Sequence, residues 1–320
     1  MKEKMKEKKS TRQGFGEALL EEGKKKKDLI VLTADLREST RVKEFSEKFP
    51  EQFIECGVAE QNMIGIAAGL ALAGKTAVTT SFGVFTPGRT LDQIRINVCY
   101  NQADVKIAAT HCGINTGEDG ATHQALEDIA IMRTMPNMTV ISPCDYNEAK
   151  KATKAMLKII KGPCYLRLGR AKANIITRMT DKFEIGKINV LKRGKDATII
   201  ATGYMVEKAL NAAKTLEKEG IKVSVIDCHT IKPLDREIIQ FAKRTKAIVT
   251  AEEHQIAGGL GSAVAEMLSQ EYPVPIEFIG VKDRFGQSGK AEELYKLYGL
   301  DEKSITKAVK KAIKRKGSKQ

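Results

Sequence analysis

At 320 residues the chain is too long for one comfortable hydrophobic core, so two domains are expected. Its 42 % apolar content is that of a globular protein, and no apolar run approaches the ~18 residues of a membrane span. The net charge of +14 does not argue for nucleic-acid binding, because most of it sits at the ends, +3 in residues 1–10 and +7 in residues 307–320, leaving no basic face between them.

The first ten residues alternate Lys and Glu and lack the apolar stretch of a secretory signal. They read as a basic tail on a cytoplasmic protein. A first domain is expected over 11–178, with buried strands at 29–34, 77–81, 105–110, 138–142 and 164–168. Helical spacing fills the gaps at 61–73, 124–133 and 147–160. The stretch 174–196 is polar and without sustained periodicity, which places a linker at 179–196. A second βα series follows over 197–316, with strands at 197–201, 222–226, 247–250 and 276–279 and helices at 206–219 and 261–270. A last helix has the apolar stripe Ile305, Ala308, Val309, Ala312 and Ile313, with Lys massed at its C-terminal end. The fold class is therefore α/β, two domains each with a mainly parallel sheet flanked by helices. Cys56, Cys99, Cys112, Cys144, Cys164 and Cys228 form no C-x-x-C pair and lie in or near apolar segments. They read as reduced, mostly buried thiols, and no metal-ligand spacing is present.

Open parallel sheets bind ligands outside the carboxyl ends of their strands. The unusual polar and aromatic residues of the first domain fall there. Asp35 and Ser39 follow the first strand, and Phe82 and Phe85 the second. His111 follows the third and leads into Gly117-Glu118-Asp119-Gly120-Ala121-Thr122-His123; Arg170 follows the fifth. Glu60 opens an almost uncharged helix with Gly and Ala on every side, which implies close packing by backbone or by a partner chain. As a first-turn acid Glu60 is a dipole partner by default. Buried there, its carboxyl would be held toward the neutral form, competent to give and take a proton.

These residues carry a resemblance. Cys56-Gly57-Val58-Ala59-Glu60-Gln61-Asn62-Met63 resembles the transketolase segment with the cofactor-activating glutamate. His111-Cys112-Gly113, Gly117 to Gln124 and Glu127-Asp128 resemble the family's central active-site loop. Ser81-Phe82-Gly83-Val84-Phe85 and Asp92-Gln93-Ile94-Arg95 resemble its ring-binding segment. Ile231-Lys232-Pro233-Leu234-Asp235 and Ala251-Glu252-Glu253-His254 resemble its C-terminal domain. Full-length transketolases begin with a further domain that binds the cofactor diphosphate through Mg²⁺ with a Gly-Asp-Gly…Asn motif, and no Gly-Asp-Gly occurs here. The chain thus resembles the second half of a split transketolase whose first half is a separate N-terminal subunit. Gly88 is a smaller departure, standing where some relatives place an aromatic near the cofactor ring.

The resemblance implies thiamine diphosphate as cofactor, Mg²⁺ held mainly by the partner subunit, and transfer of a two-carbon ketol unit from a ketose phosphate to an aldose phosphate. Glu60 would protonate N1′ of the aminopyrimidine and Phe82 and Phe85 would pack on that ring, with Asp35 a weaker cofactor contact. His111 and His123 would hydrogen-bond substrate hydroxyls or carbonyl, His123 being the better proton-transfer group. Asp119 would hold the donor's hydroxyl, and Ser39 and Arg170 the phosphate. Self-dimerisation would give an α2β2 assembly. Glu252, Glu253 and His254 read as an interface or structural network. Two alternatives stay open: the β subunit of a 2-oxo-acid dehydrogenase or another thiamine-diphosphate enzyme, and a non-catalytic scaffold subunit. The intact Glu60, His111 and His123 weigh against the scaffold.

Overall fold

The structure, a computed structural model, describes residues 8–317. In chain order the strands are β1 (Lys8–Lys9), β2 (Leu29–Thr33), β3 (Phe53–Glu55), β4 (Thr76–Phe82), β5 (Val105–Thr110), β6 (Thr139–Ile141) and β7 (Cys164–Arg167). They continue as β8 (Ala173–Asn174), β9 (Asn189–Lys192), β10 (Ala197–Ala201), β11 (Val223–Asp227), β12 (Thr230–Lys232), β13 (Ile248–Gln255) and β14 (Ile276–Val281). Every residue of β4, β5, β7, β10 and β11 is buried. Such continuous burial suits strands covered by helices on both faces, which a parallel sheet requires.

Two sheets result. The first has the order β12-β6-β7-β5-β4-β2-β3 and is parallel except at β12. The second, β14-β13-β10-β11-β9, is parallel except at β9. β12 belongs by sequence to the second series yet closes the edge of the first sheet, so the two halves are stitched together. At three and four residues, β12 and β9 carry too little pattern to be read in advance. β9 lies within the segment expected to be a linker. β1, in the expected basic tail, pairs with β8.

The helices Glu60–Leu72, Tyr146–Lys158, Met205–Lys218 and Leu260–Glu271 lie within two residues of their expected bounds. The helix expected from 124 begins only at Asp128. Gln124 is drawn out of it because its amide donates to Gly117 O at 3.2 Å and Gln287 O at 3.0 Å. Asp145 caps Tyr146–Lys158 by accepting from Glu148 N–H at 2.8 Å, and Glu148 Oε2 in turn accepts the Cys144 N–H at 2.8 Å. The apolar core is continuous across the halves, with Ile114, Leu126 and Cys144 of the first packed among Ile199, Val225 and Val249 of the second. Five cysteines are buried, Cys56 is half-buried, and none is disulfide-bonded. No helix among the described residues is long and apolar enough to cross a membrane.

Candidate active site

β4, β5 and β7 are adjacent and parallel, with Ser81 opposite Ala109 and Ala109 opposite Arg167. Their carboxyl ends therefore coincide, and the residues just beyond them meet. Phe82 and His111 lie ring to ring with centroids 3.8 Å apart, and Phe85 stacks on Phe82 at 5.6 Å. His123 stands edge-on to both phenyl rings, at 5.8 and 5.6 Å. A bridge between Cys112 and Ala125 closes the base of the loop that returns His123 to this cluster.

His111 adopts φ +59°, a left-handed conformation that costs a non-glycine residue energy. Its neighbours hold it there. Thr116 Oγ1 donates to His111 O at 2.7 Å, and Thr110 Oγ1 lies 2.9 Å from Nδ1. Burial, and then the charges of Arg12 and Arg170, pull the imidazole down to about 3. His111 is thus a neutral hydrogen-bonding group at neutral pH. His123 is half-buried, with Nδ1 2.9 Å from Thr122 Oγ1.

Glu60 is buried at the first position of Glu60–Leu72. Its burial is as expected, but it has a charged partner that the sequence did not signal: Arg89 Nη1 lies 2.9 Å from its Oε2. The same guanidinium sits 4.6 Å over the Phe85 ring. Arg89 therefore connects the acid to the aromatic cluster, and being half-exposed it can withdraw into solvent. An arginine in a loop without periodicity gave no advance signal.

A second group of side chains flanks the cluster. Arg170 pairs with Glu118 at 3.2 Å and Asp119 at 3.5 Å. Arg12, which the sequence did not single out, donates to Ser39 O at 2.6 Å. Burial, then the nearby Arg41 and Arg170, bring Arg12 down to about 10, and its Nε is buried without a hydrogen-bond partner. Three guanidinium groups gathered at such cost, with one donor unfilled, fit an anionic substrate group. Asp35 is exposed beyond β2 at φ +59°, its N–H bonded to Glu55 at 2.7 Å. Among the described residues no hydrogen bond or ion pair joins its carboxylate to the aromatic cluster.

The π-faces of Phe82 and Phe85, with the Glu60 carboxyl one arginine away, fit a flat heterocycle bearing a basic nitrogen. Away from this cleft, Cys144, Glu148 and Asp227 lie within 4.8 Å of one another. Burial first, and then Glu148, push the Asp227 carboxyl well up.

Comparison with known proteins agrees with the geometry. Residues 7–175 match the transketolase pyrimidine binding domain and residues 186–305 the transketolase C-terminal domain. A chain of Methanocaldococcus jannaschii, named provisionally as a transketolase C-terminal section, is 49 % identical over 310 residues, 96 % of this chain and 97 % of its own. The 6-deoxy-6-sulfo-D-fructose transketolase subunit of Clostridium sp. (strain MSTE9) is 42 % identical over 306 residues, 95 % of either chain. A solved structure of a split-gene transketolase, an inactive β4 tetramer, is similar with a TM-score of 0.90 at 47 % identity, over 96 % of this chain and 99 % of that one.

Proposed function

The chain belongs to the transketolase family, and we propose that it is the pyrimidine-binding and C-terminal half of a two-chain transketolase. The pair transfers a two-carbon ketol unit from a ketose phosphate to an aldose phosphate, and a separate N-terminal subunit holds Mg²⁺ and the cofactor diphosphate. The observation that carries this reading is the gathering of an acid beside stacked aromatics, beyond β4 and β5, with the Arg12–Arg170 cluster flanking them.

Thiamine diphosphate supplies a nucleophilic carbon that can attack and later release a carbonyl. Glu60, once Arg89 moves aside, shares a proton with the ring nitrogen N1′. Phe82 and Phe85 pack on the aminopyrimidine. Neutral His111 orients substrate oxygens, and the more accessible His123 moves the hydroxyl proton. Asp119 holds a donor hydroxyl, while Ser39, Arg170 and Arg12 take the phosphate. A sulfonate would meet the same guanidinium groups.

The face of Glu60–Leu72 supports a partner chain. Gln61, Asn62, Gly69 and Leu72 are exposed without a charge among them, and Gly65 and Gly69 leave open space where a Cβ would stand. Val58, Ile96 and Tyr100 add exposed apolar surface. Covering this face in an α2β2 assembly would complete the cleft. The cationic end favours a sugar phosphate over the pyruvate-like substrate of a 2-oxo-acid dehydrogenase.

The test reconstitutes the chain with its N-terminal subunit, thiamine diphosphate and Mg²⁺. Ketol transfer from ketose phosphates is expected, with pyruvate inert and the isolated chain inactive. Robust turnover by the isolated chain would refute the split-enzyme reading, and turnover of pyruvate alone would favour the dehydrogenase.

A further inference from the structure

The cleft's cations and the loop between His111 and His123 rest on two side chains of the second half. Glu253, in β13, is buried across the domain junction. Its Oε1 accepts the Asn115 backbone N–H at 3.0 Å, and its two oxygens accept from Asn115 Nδ2 at 3.1 and 3.2 Å. Asn115 passes the constraint on. Its Nδ2 also donates to Cys112 O at 3.0 Å, and its Oδ1 accepts the N–H groups of Arg170 at 3.0 Å and Ala171 at 3.1 Å.

Tyr204, at the start of Met205–Lys218, completes the frame. Its hydroxyl donates to Ala171 O at 2.7 Å and lies 3.2 Å from the Thr11 N–H, next to Arg12. Thr11 Oγ1 accepts the Gly169 N–H at 2.8 Å, next to Arg170. The segments bearing Arg12 and Arg170 are therefore fixed to one another and to the second half, although neither Glu253 nor Tyr204 is among the residues whose side chains form the cleft.

We propose that Glu253, acting through Asn115 and assisted by Tyr204, is a positioning residue that sets the spacing of Arg12 and Arg170 and thereby the cleft's selectivity for substrates with a distal anionic group. This rests on the reading of the cleft given above. The pairing requires a carboxylate. Asn115 presents only donors toward Glu253, and a glutamine there would set one of its own N–H groups against them or leave a buried donor unfilled. The fit is also steric, since Gly113 has φ +88° and a Cβ on it would lie 2.9 Å from Glu253 Oε1. A backbone shift at Arg170 would separate the guanidinium groups, whereas among the described residues no hydrogen bond of Glu253, Asn115 or Tyr204 reaches Glu60, Phe82 or Phe85.

The experiment compares wild type, Glu253→Gln, Tyr204→Phe, Arg170→Ala and the double variant Glu253→Gln/Arg170→Ala, each assembled with the partner subunit and cofactors. For Glu253→Gln, KM for a ketose phosphate should rise about 5- to 30-fold with kcat within about threefold, while kcat/KM for a non-phosphorylated ketose stays unchanged. Tyr204→Phe should shift KM the same way by less. The double variant should be little worse than Arg170→Ala, because the two changes remove the same contact. Equal losses on both ketoses, or full additivity with Arg170→Ala, would overturn the proposal. A second readout needs no turnover: amide hydrogen exchange of the isolated chain at 113–119 and 169–171 should accelerate in Glu253→Gln, and unchanged exchange there also overturns it. If the wild-type pair turns over no ketose phosphate, the proposed reaction fails on its own, and the exchange result still decides whether Glu253 positions the loop.

Discussion

β5 and β13 both run to polar residues near their carboxyl ends, His111 after the one and Glu252-Glu253-His254 within the other. Composition alone does not tell these ends apart. Around His111 part of the hydrogen-bonding capacity is unspent: its Nδ1 lies beside Thr110 Oγ1 and its ring packs on Phe82, but Arg12 Nε nearby has no partner. Along β13 the carboxylates of Glu252 and Glu253 and the His254 ring have internal partners. Glu252 accepts the N–H groups of Leu260 and Gly261 at 2.7 and 2.8 Å, fixing the start of Leu260–Glu271. His254 Nε2 accepts the Ala130 N–H at 3.2 Å. A polar strand end becomes a ligand site when its groups are left wanting partners; when backbone amides supply them, it becomes a joint.

The largest effect should separate the site from the joint directly. Glu60→Gln in the assembled pair should lose about 10²–10⁴-fold in kcat, the usual yield of one general acid–base group, with assembly and melting temperature preserved. Exchange of the cofactor's C2 proton should slow in step. Wild-type exchange in the variant would reduce Glu60 to a dipole partner of its own helix and an ion-pair partner of Arg89.

The joint should respond in the opposite way. Arg167 and Asp128 form a buried pair, Nε to Oδ2 at 2.8 Å, with Tyr165 OH on the same oxygen at 2.7 Å and Arg167 Nη2 reaching Glu253 O at 2.8 Å. Asp128→Asn leaves an uncompensated guanidinium, and breaking such a pair typically costs about 3–5 kcal/mol. For a chain of this size that is a Tm drop of roughly 5–8 °C. Activity at a temperature where the variant stays folded should be largely kept; an unchanged Tm would show the pair to be dispensable.

The legibility of the two regions followed their physics. β4, β5 and β7 were readable because strands buried on both faces leave short runs rich in apolar and β-branched residues, and the residues beyond them could be placed at one edge by topology. β13 was expected to stop at 250, since Glu252 to His254 look like a loop until their partners are known. Arg12 was illegible because its helix, Thr11–Gly23, meets the end of β7 only through tertiary contact of Thr11 with Gly169. Arg89 was illegible because nothing in a loop marks a guanidinium that will fold back onto an acid 29 residues away.

A smaller effect sharpens the role of the cation cluster. Arg170→Ala removes one charge-assisted contact to an anion, worth about 1.5–3 kcal/mol, or about ten- to a hundredfold in kcat/KM for phosphorylated sugars. Non-phosphorylated analogues never make that contact and should change little. Equal losses on both would return Arg170 to its ion pairs with Glu118 and Asp119 as a purely structural group.

The smallest effect concerns His111 and appears in stability rather than rate. Its imidazole is held at about 3 against an ordinary value of 6.5. Above pH 6.5 folded and unfolded chains are both largely neutral at this residue, and it contributes no pH dependence. Below 6.5 the unfolded chain takes up a proton that the folded chain refuses, so stability falls as pH falls, until the folded value near 3 is reached. Between pH 6.5 and 5.5 the loss from this one residue should be about 1 kcal/mol. His111→Asn is the informative variant, because Asn tolerates the left-handed backbone better than other residues and does not titrate. Urea unfolding of wild type and variant at pH 7.5, 6.5 and 5.5 isolates the term by difference, other titrating groups being common to both. His229 is also lowered by burial, so the variant should keep part of the acid sensitivity. A wild-type loss matching the variant's over that interval would mean that His111 protonates in the folded chain as readily as in water, and that the cleft does not exclude a cation from its centre.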